Sequence, residues 1–258
     1  MIKKSRSGLR QRKPAKAACD AVDASRKNAS FPIVGIGTSA GGLEALEHFL
    51  SHVPKNSGMA FVIIQHLDPT RKGIMPELLQ RTTGMKVLQV KDRSRVQPDS
   101  VYVIPPNKDM SILHDVLHLL EPTSPRGLRL PIDFFLRSLA QDREEQSIAV
   151  ILSGMGSDGT LGLRAIKEKG GAVLVQDPAS AKFDGMPRSA IDSGLVDIVA
   201  PVDNLPGRIV SYLKRTPLVT SPGLEPEAQC WPPACCLEFR REGGSGRRFC
   251  PSFCCWRV

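Results

Sequence analysis

Between Phe31 and Arg215 the sequence has neither cysteine nor tryptophan. A secreted disulfide framework spreads its bridges through the fold, so this stretch does not belong to that class. No apolar run approaches the roughly 18–20 residues needed to span a bilayer. The basic N-terminus lacks the apolar segment of a secretory signal. A cytoplasmic protein without membrane insertion is therefore expected. There is no internal repeat.

What is present is unevenly placed. The net charge of +9 suggests nucleic-acid binding until it is located. Residues 1–30 hold nine Lys/Arg against Asp20 and Asp23, whereas residues 31–215 hold 21 basic and 20 acidic side chains. The charge belongs to a Ser/Ala-rich basic tail without hydrophobic periodicity, which is expected to be disordered. The balanced remainder gives no footprint for specific nucleic-acid binding. Cys19 lies in that tail. Cys230, Cys235, Cys236, Cys250, Cys254 and Cys255 fall in the last 29 residues, with Trp231 and Trp256. Cys230-x4-Cys235 and Cys250-x3-Cys254 look like paired zinc ligands, but the spacings are loose and no histidine joins them. A disordered, reactive tail is the expectation, with no metal. Three segments follow: a tail over 1–30, a folded domain over 31–215, and a Pro/Gly/Cys-rich tail over 216–258.

The folded segment alternates short apolar runs with amphipathic ones. Strands are expected at Phe31–Gly37, Ala60–Gln65, Lys86–Val90, Val101–Ile104, Ile148–Leu152, Ala172–Gln176 and Val196–Val199. Helices are expected at Gly42–Val53, Ile74–Thr82, Ile132–Arg143, Leu161–Lys169, Arg188–Ser193 and Leu205–Lys214. Ser111–Glu121 reads as a hairpin with its tip at Asp115-Val116, since Pro122 stops a helix there. Strands apolar throughout and separated by helices imply a parallel sheet covered on both faces. The fold class is α/β: a three-layer, doubly wound, mostly parallel sheet. Functional groups in such a fold lie beyond the carboxyl ends of the strands.

Three strand ends carry chemistry. The first runs into Ser39, the second into His66-Leu67-Asp68, and the Ile148–Leu152 strand into Ser153-Gly154-Met155-Gly156-Ser157-Asp158. A serine, a histidine and an aspartate on one sheet edge supply a nucleophile, its base and the group that fixes the base's tautomer. Two motifs overlap at the first end. Gly35-Ile36-Gly37-Thr38-Ser39-Ala40 fits a dinucleotide-binding turn, and Gly37-Thr38-Ser39-Ala40-Gly41 fits a nucleophile elbow. Asp68 keeps the nucleotide alternative open. The elbow uses Ser39, His66 and Asp158 together, with Gly37 and Gly41 making the sharp turn and Gly154-Met155-Gly156 offering a backbone donor to an oxyanion.

Each residue has a plainer role open to it. Ser39 suits a helix cap, His66 a buried histidine, and Asp158 a turn or cap. His48 and His52, spaced for one helix face, lack a carboxylate or cysteine motif to complete a metal site and are expected to be exposed. His114 and His118 flank the hairpin tip and are read the same way. The order Ser, His, Asp differs from the Ser, Asp, His order of α/β-hydrolases.

The segments "IGTSAGGLEAL", "IIQHLDP", "VYVIPPNKDM", "PIDFFLRSLA", "ILSGMGSDGTLGLRAIKEKGG", "VQDPASAKFDGMPRSAI" and "GLVDIV" resemble, in order, the catalytic domain of CheB-type chemotaxis methylesterases. The resemblance runs from about Pro32 to Leu213. It implies a cofactor-free serine esterase that cleaves glutamate γ-methyl esters of chemoreceptors, releases methanol, and extends to receptor glutamines. It places the triad on Ser39, His66 and Asp158, with Ala40 and Met155 supporting the oxyanion. Ala40 departs from the hydroxyl residue often found after the nucleophile. The roughly 30 residues ahead of the resemblance are too few for a receiver domain, so phosphoryl activation in cis is not expected. "SAGGLEAL" resembles sensory proteins that fuse the esterase to a receptor methyltransferase, the expected second partner. Residues after about Glu227 are expected to be a truncated or out-of-frame end. A nucleotide-binding or non-catalytic docking module of a sensory complex is the alternative function.

Overall fold

The computed structural model describes residues 31–66, 74–122 and 129–215. Both expected tails and Asp68 lie outside the described residues. The chain begins with strand β1 (Ile33–Thr38), helix α1 (Gly42–Ser51), strand β2 (Ala60–Gln65) and helix α2 (Ile74–Thr82). Strands β3 (Lys86–Gln89), β4 (Ser94–Arg95), β5 (Ser100–Val103), β6 (Asp109–Leu113) and β7 (Val116–Leu120) follow, then helix α3 (Pro131–Arg143). The last part holds β8 (Ser147–Ile151), α4 (Thr160–Glu168), β9 (Ala172–Gln176), α5 (Gly185–Asp192), β10 (Ile198–Ala200) and α6 (Leu205–Arg215).

Seven strands form one sheet in the order β10-β9-β8-β1-β2-β5-β3. Every neighbouring pair is parallel. A parallel sheet must be covered on both sides, and successive side chains enter two different cores. On one side Val62, Ile64, Ala149 and Val173 pack under Phe135 and Leu139 of α3 and Leu163 of α4. On the other, Phe61, Ile63, Val150 and Leu174 meet Leu46 and Phe49 of α1, Leu79 of α2 and Ile209 of α6. The domain is the expected three-layer, doubly wound α/β fold. From β1 the chain winds outward through β2, then returns to β8 on β1's other flank. The carboxyl ends of β1, β2 and β8 therefore meet at the point where winding reverses, the usual place for a site in such sheets.

The expected hairpin is real but belongs to a separate antiparallel sheet, β4-β7-β6. Leu113 pairs with Val116, so the tip is His114-Asp115, one residue earlier than the sequence suggested. Both tip residues have positive φ, 49° and 65°, as a type I′ two-residue hairpin turn requires. Asp142 of α3 accepts the His114 N–H at 2.5 Å and anchors the turn. His118 sits opposite Ser111 on β7 rather than beside the tip. The two-residue strand β4 is too short to show a period. Helix α5 starts three residues earlier than expected because Pro187 is accommodated inside its first turn, where it lacks only an N–H that the helix start leaves unbonded.

Candidate active site

The turn from β1 into α1 is built around glycine. Gly41 occupies the N-cap of α1 with φ 70°. A Cβ there would also stand 2.9 Å from Ser153 Oγ and 3.0 Å from both Lys182 Cβ and Phe183 Cδ2. Conformation and space both demand glycine at this point. The Ser39 N–H donates to the Ser153 carbonyl at 3.1 Å, and the Ser39 carbonyl accepts the Gly42 N–H at 3.0 Å. Helix α1 has no side-chain cap, so the Ser39 hydroxyl is not used as one.

Gly37 serves another purpose than the turn. It lies in β1, and a Cβ on it would come within 2.5 Å of Ile132 Cγ2 at the start of α3. Gly35 likewise sits against Leu136, Leu139 and Phe135. The space beside both glycines of G-x-G is thus filled by α3, whereas a dinucleotide turn keeps its second glycine open to pyrophosphate.

His66 follows β2 and brings its Nε2–H to within 2.8 Å of Asp158 Oδ2. The histidine side chain is 37% exposed, the aspartate side chain 3%. Asp158 also accepts the Ile132 N–H at 3.1 Å on Oδ2 and the Asp133 N–H at 3.0 Å on Oδ1. Those two amides open α3. The carboxylate caps a helix, though not the one that follows it in sequence, and the helix end favours its negative charge. With Nε2 engaged, Nδ1 is the nitrogen left for a proton-transfer partner. Ser39 and His66 line one cleft of about 880 Å³, with Glu44 and Glu47 of α1, Met75 and Leu78 of α2, and Lys182. Among the described residues no hydrogen bond joins Ser39 Oγ to the His66 ring.

The loop after β8 closes the other flank. A Cβ on Gly154 would lie 3.1 Å from Ser39 Cβ and 2.2 Å from Met186 Sδ. The backbone of Gly154 therefore runs directly against Ser39, and Met155 next to it is 62% exposed.

The sequence model of one family, CheB methylesterase, matches residues 34–209. The chain belongs to that family. It is 31% identical over 214 residues to a protein-glutamate methylesterase/protein-glutamine glutaminase of Desulfotalea psychrophila, covering 81% of this chain and 59% of that one. A putative enzyme of the same description from Leptospira interrogans is 33% identical over 177 residues, 68% of this chain and 92% of the relative. The crystal structure of the Thermotoga maritima CheB methylesterase catalytic domain superposes with a TM-score of 0.66 at 30% identity, covering 71% of this chain and 99% of that domain. The chain spans about half the length of several curated relatives it matches.

This CheB-type domain holds polar residues to which the sequence reading gave no role. Ser153, placed on the right edge by its strand, is 1% exposed and bonded to three segments. Gln65 donates from Nε2 to the Ser39 carbonyl at 3.3 Å, while its buried Oε1 has no partner among the described residues. Asp133 is 4% exposed and accepts the Gly162 N–H at 2.6 Å, tying α3 to α4. Burial pushes its carboxyl above the usual carboxylate range, and nearby Asp158 adds to the rise. Burial raises Asp109 as well. His48 and His52 do have a carboxylate beside them, contrary to the sequence reading: Asp203 Oδ1 stands 3.0 and 3.6 Å from their Nδ1 atoms. Asp203 lies 155 residues from His48, beyond the reach of a local motif. Among the described residues no group of three His, Cys, Asp or Glu is arranged to hold a metal ion. No described helix is long and apolar enough to cross a membrane.

Proposed function

We propose that this chain is a cytoplasmic serine carboxyl-ester hydrolase that removes methyl esters from glutamates of chemoreceptors, and that the same site deamidates receptor glutamines. The observation that carries the reading is the 2.8 Å His66–Asp158 contact at the mouth of the cleft that Ser39 lines. Family membership supports the substrate class. Ser39 Oγ attacks the γ-carbonyl carbon while His66 Nδ1 takes its proton. The negative charge that develops on the carbonyl oxygen is received by the Ala40 and Met155 amides, which none of the bonds described above uses. The intermediate collapses, the C–OCH₃ bond breaks, and His66 returns the proton to release methanol. Water then attacks the Ser39 acyl ester by the same route, giving the glutamate carboxylate and the free serine. Asp158 holds the tautomer that leaves Nδ1 unprotonated and stabilises the imidazolium that forms. No step requires a metal or cofactor. A receptor methyltransferase that restores the ester is the natural second partner.

The missing Ser39–His66 hydrogen bond favours a second reading, a non-catalytic docking module. Catalytic hydrogen bonds in ligand-free sites are often long and tighten only with substrate bound. A fluorophosphonate probe separates the two readings. An esterase forms a stoichiometric adduct that peptide mapping assigns to Ser39. A docking module stays unlabelled, and that outcome would overturn the proposal.

A further inference from the structure

Three consecutive residues of the nucleophile turn are tied to one buried residue, Thr38 and Ser39 through its backbone carbonyl and Ala40 through its hydroxyl. The Ser153 carbonyl accepts two bonds, from the Ser39 N–H at 3.1 Å and from Thr38 Oγ1 at 2.8 Å. The Ser153 hydroxyl donates to the Ala40 carbonyl at 3.0 Å, leaving the Phe183 carbonyl, 3.3 Å away, as its second possible acceptor. The same oxygen accepts the Phe183 N–H at 3.0 Å. The Ser153 N–H in turn donates to Gln176 Oε1 at 2.9 Å, at the end of β9. The hydroxyl both donates and accepts within the protein, and the residue is 1% exposed. It neither lines the Ser39 cleft nor touches the position of a reacting atom.

We propose that Ser153 is a positioning residue, which sets the Ser39 nucleophile through the backbone of its turn and locks that turn to the loop of Lys182 and Phe183. The proposal rests on Ser39 being the nucleophile. A pre-set turn matters because attack needs the oxygen within a narrow range of position. A displacement of about 1 Å costs on the order of 10²-fold in rate. The bonds from Thr38 Oγ1 and the Ser39 N–H to the Ser153 carbonyl survive loss of the hydroxyl. What goes is the link from Ala40 to Phe183, so the turn loosens on the side that carries the oxyanion donor. Lys182 reaches Glu44 of α1 at 3.2 Å, an exposed pair that is too weakly held to replace the lost link.

The test uses the full chain with Ser153→Ala and Ser153→Thr. The readouts are the rate and stoichiometry of fluorophosphonate labelling at Ser39, the separate kcat and KM for a γ-methyl glutamate ester, the pH–rate profile, and the thermal midpoint. Ser153→Ala should label to full stoichiometry but about 10–100-fold more slowly. Its kcat should fall by a similar factor with KM within about twofold, and its pH profile should keep its shape because His66 and Asp158 are untouched. Ser153→Thr, which restores the hydroxyl, should recover most of the rate. A Ser153→Ala rate within about twofold of the parent overturns the proposal, as does a Thr variant as slow as the Ala variant. If Ser153→Ala fails to fold, Ser153→Cys decides, because its thiol has nearly the same shape but hydrogen-bonds weakly: slower labelling supports the clamp, and an unchanged rate refutes it. Failure of the parent chain to label would instead refute Ser39 as nucleophile.

Discussion

Replacing Asp158 with asparagine asks what its carboxylate does. One oxygen, Oδ2, serves both the His66 Nε2–H and the Ile132 N–H, and the other, Oδ1, serves only the Asp133 N–H. An asparagine has one oxygen and one NH₂ to share between these places. Turning the oxygen to His66 and Ile132 leaves one donor facing a donor, at Asp133. The reverse orientation leaves two. The oxygen should therefore stay with His66 and preserve its tautomer. The charge is lost all the same. A unit charge about 4 Å from the developing imidazolium is worth about 4 kcal/mol at an effective dielectric near 20, or about 10³ in rate. The partial exposure of His66 reduces that, so kcat should fall by about 10²–10³. The unsatisfied Asp133 amide should cost about 1–3 kcal/mol of stability, a drop of several degrees in the melting midpoint for a domain of this size. Kinetics on a γ-methyl glutamate ester and a thermal melt read both numbers. A fall of less than tenfold would refute the role of Asp158. A fall beyond about 10⁴ would show that the asparagine sits the other way, with the wrong tautomer.

Three further outcomes follow from other contacts. Gly37→Ala forces a Cβ against Ile132, so it should destabilise by about 1–3 kcal/mol and lower kcat by displacing the amides that hold Asp158; an unchanged melt would show that α3 is not in close contact there. Asp133 keeps its proton to higher pH when folded, so its contribution to stability should weaken as pH rises from the unfolded carboxylate pKa through the raised folded one. Asp133→Asn should flatten that part of the stability-versus-pH curve, and a curve that keeps its slope would refute the assignment. Residues 31–215 expressed alone should melt cooperatively and hydrolyse the ester like the full chain, and precipitation of that fragment would show that the flanking segments are part of the fold.

The layer architecture was legible because each strand is apolar throughout and each helix has a period. That the segments after β1, β2 and β8 share one edge was legible for the same reason: a parallel sheet puts all its carboxyl ends together. What escaped the sequence were relations between distant segments. Gly37 looked like part of a turn because the helix it accommodates begins more than ninety residues later. Asp158 suited a local cap, and it does cap a helix, but one that precedes it by about 25 residues. One carboxylate both caps that helix and meets the His66 ring. Ser153 was visible at its strand end, yet its importance lies in partners 113 and 30 residues away, which no spacing rule connects.

The most direct measurement is methanol release from chemoreceptor membranes carrying labelled methyl esters, with the parent chain and with Ser39→Ala compared side by side. The parent should release methanol catalytically, and Ser39→Ala should be slower by about 10⁴-fold or more with an unchanged melting midpoint. Equal release by the two proteins, or none from the folded parent, would contradict the account.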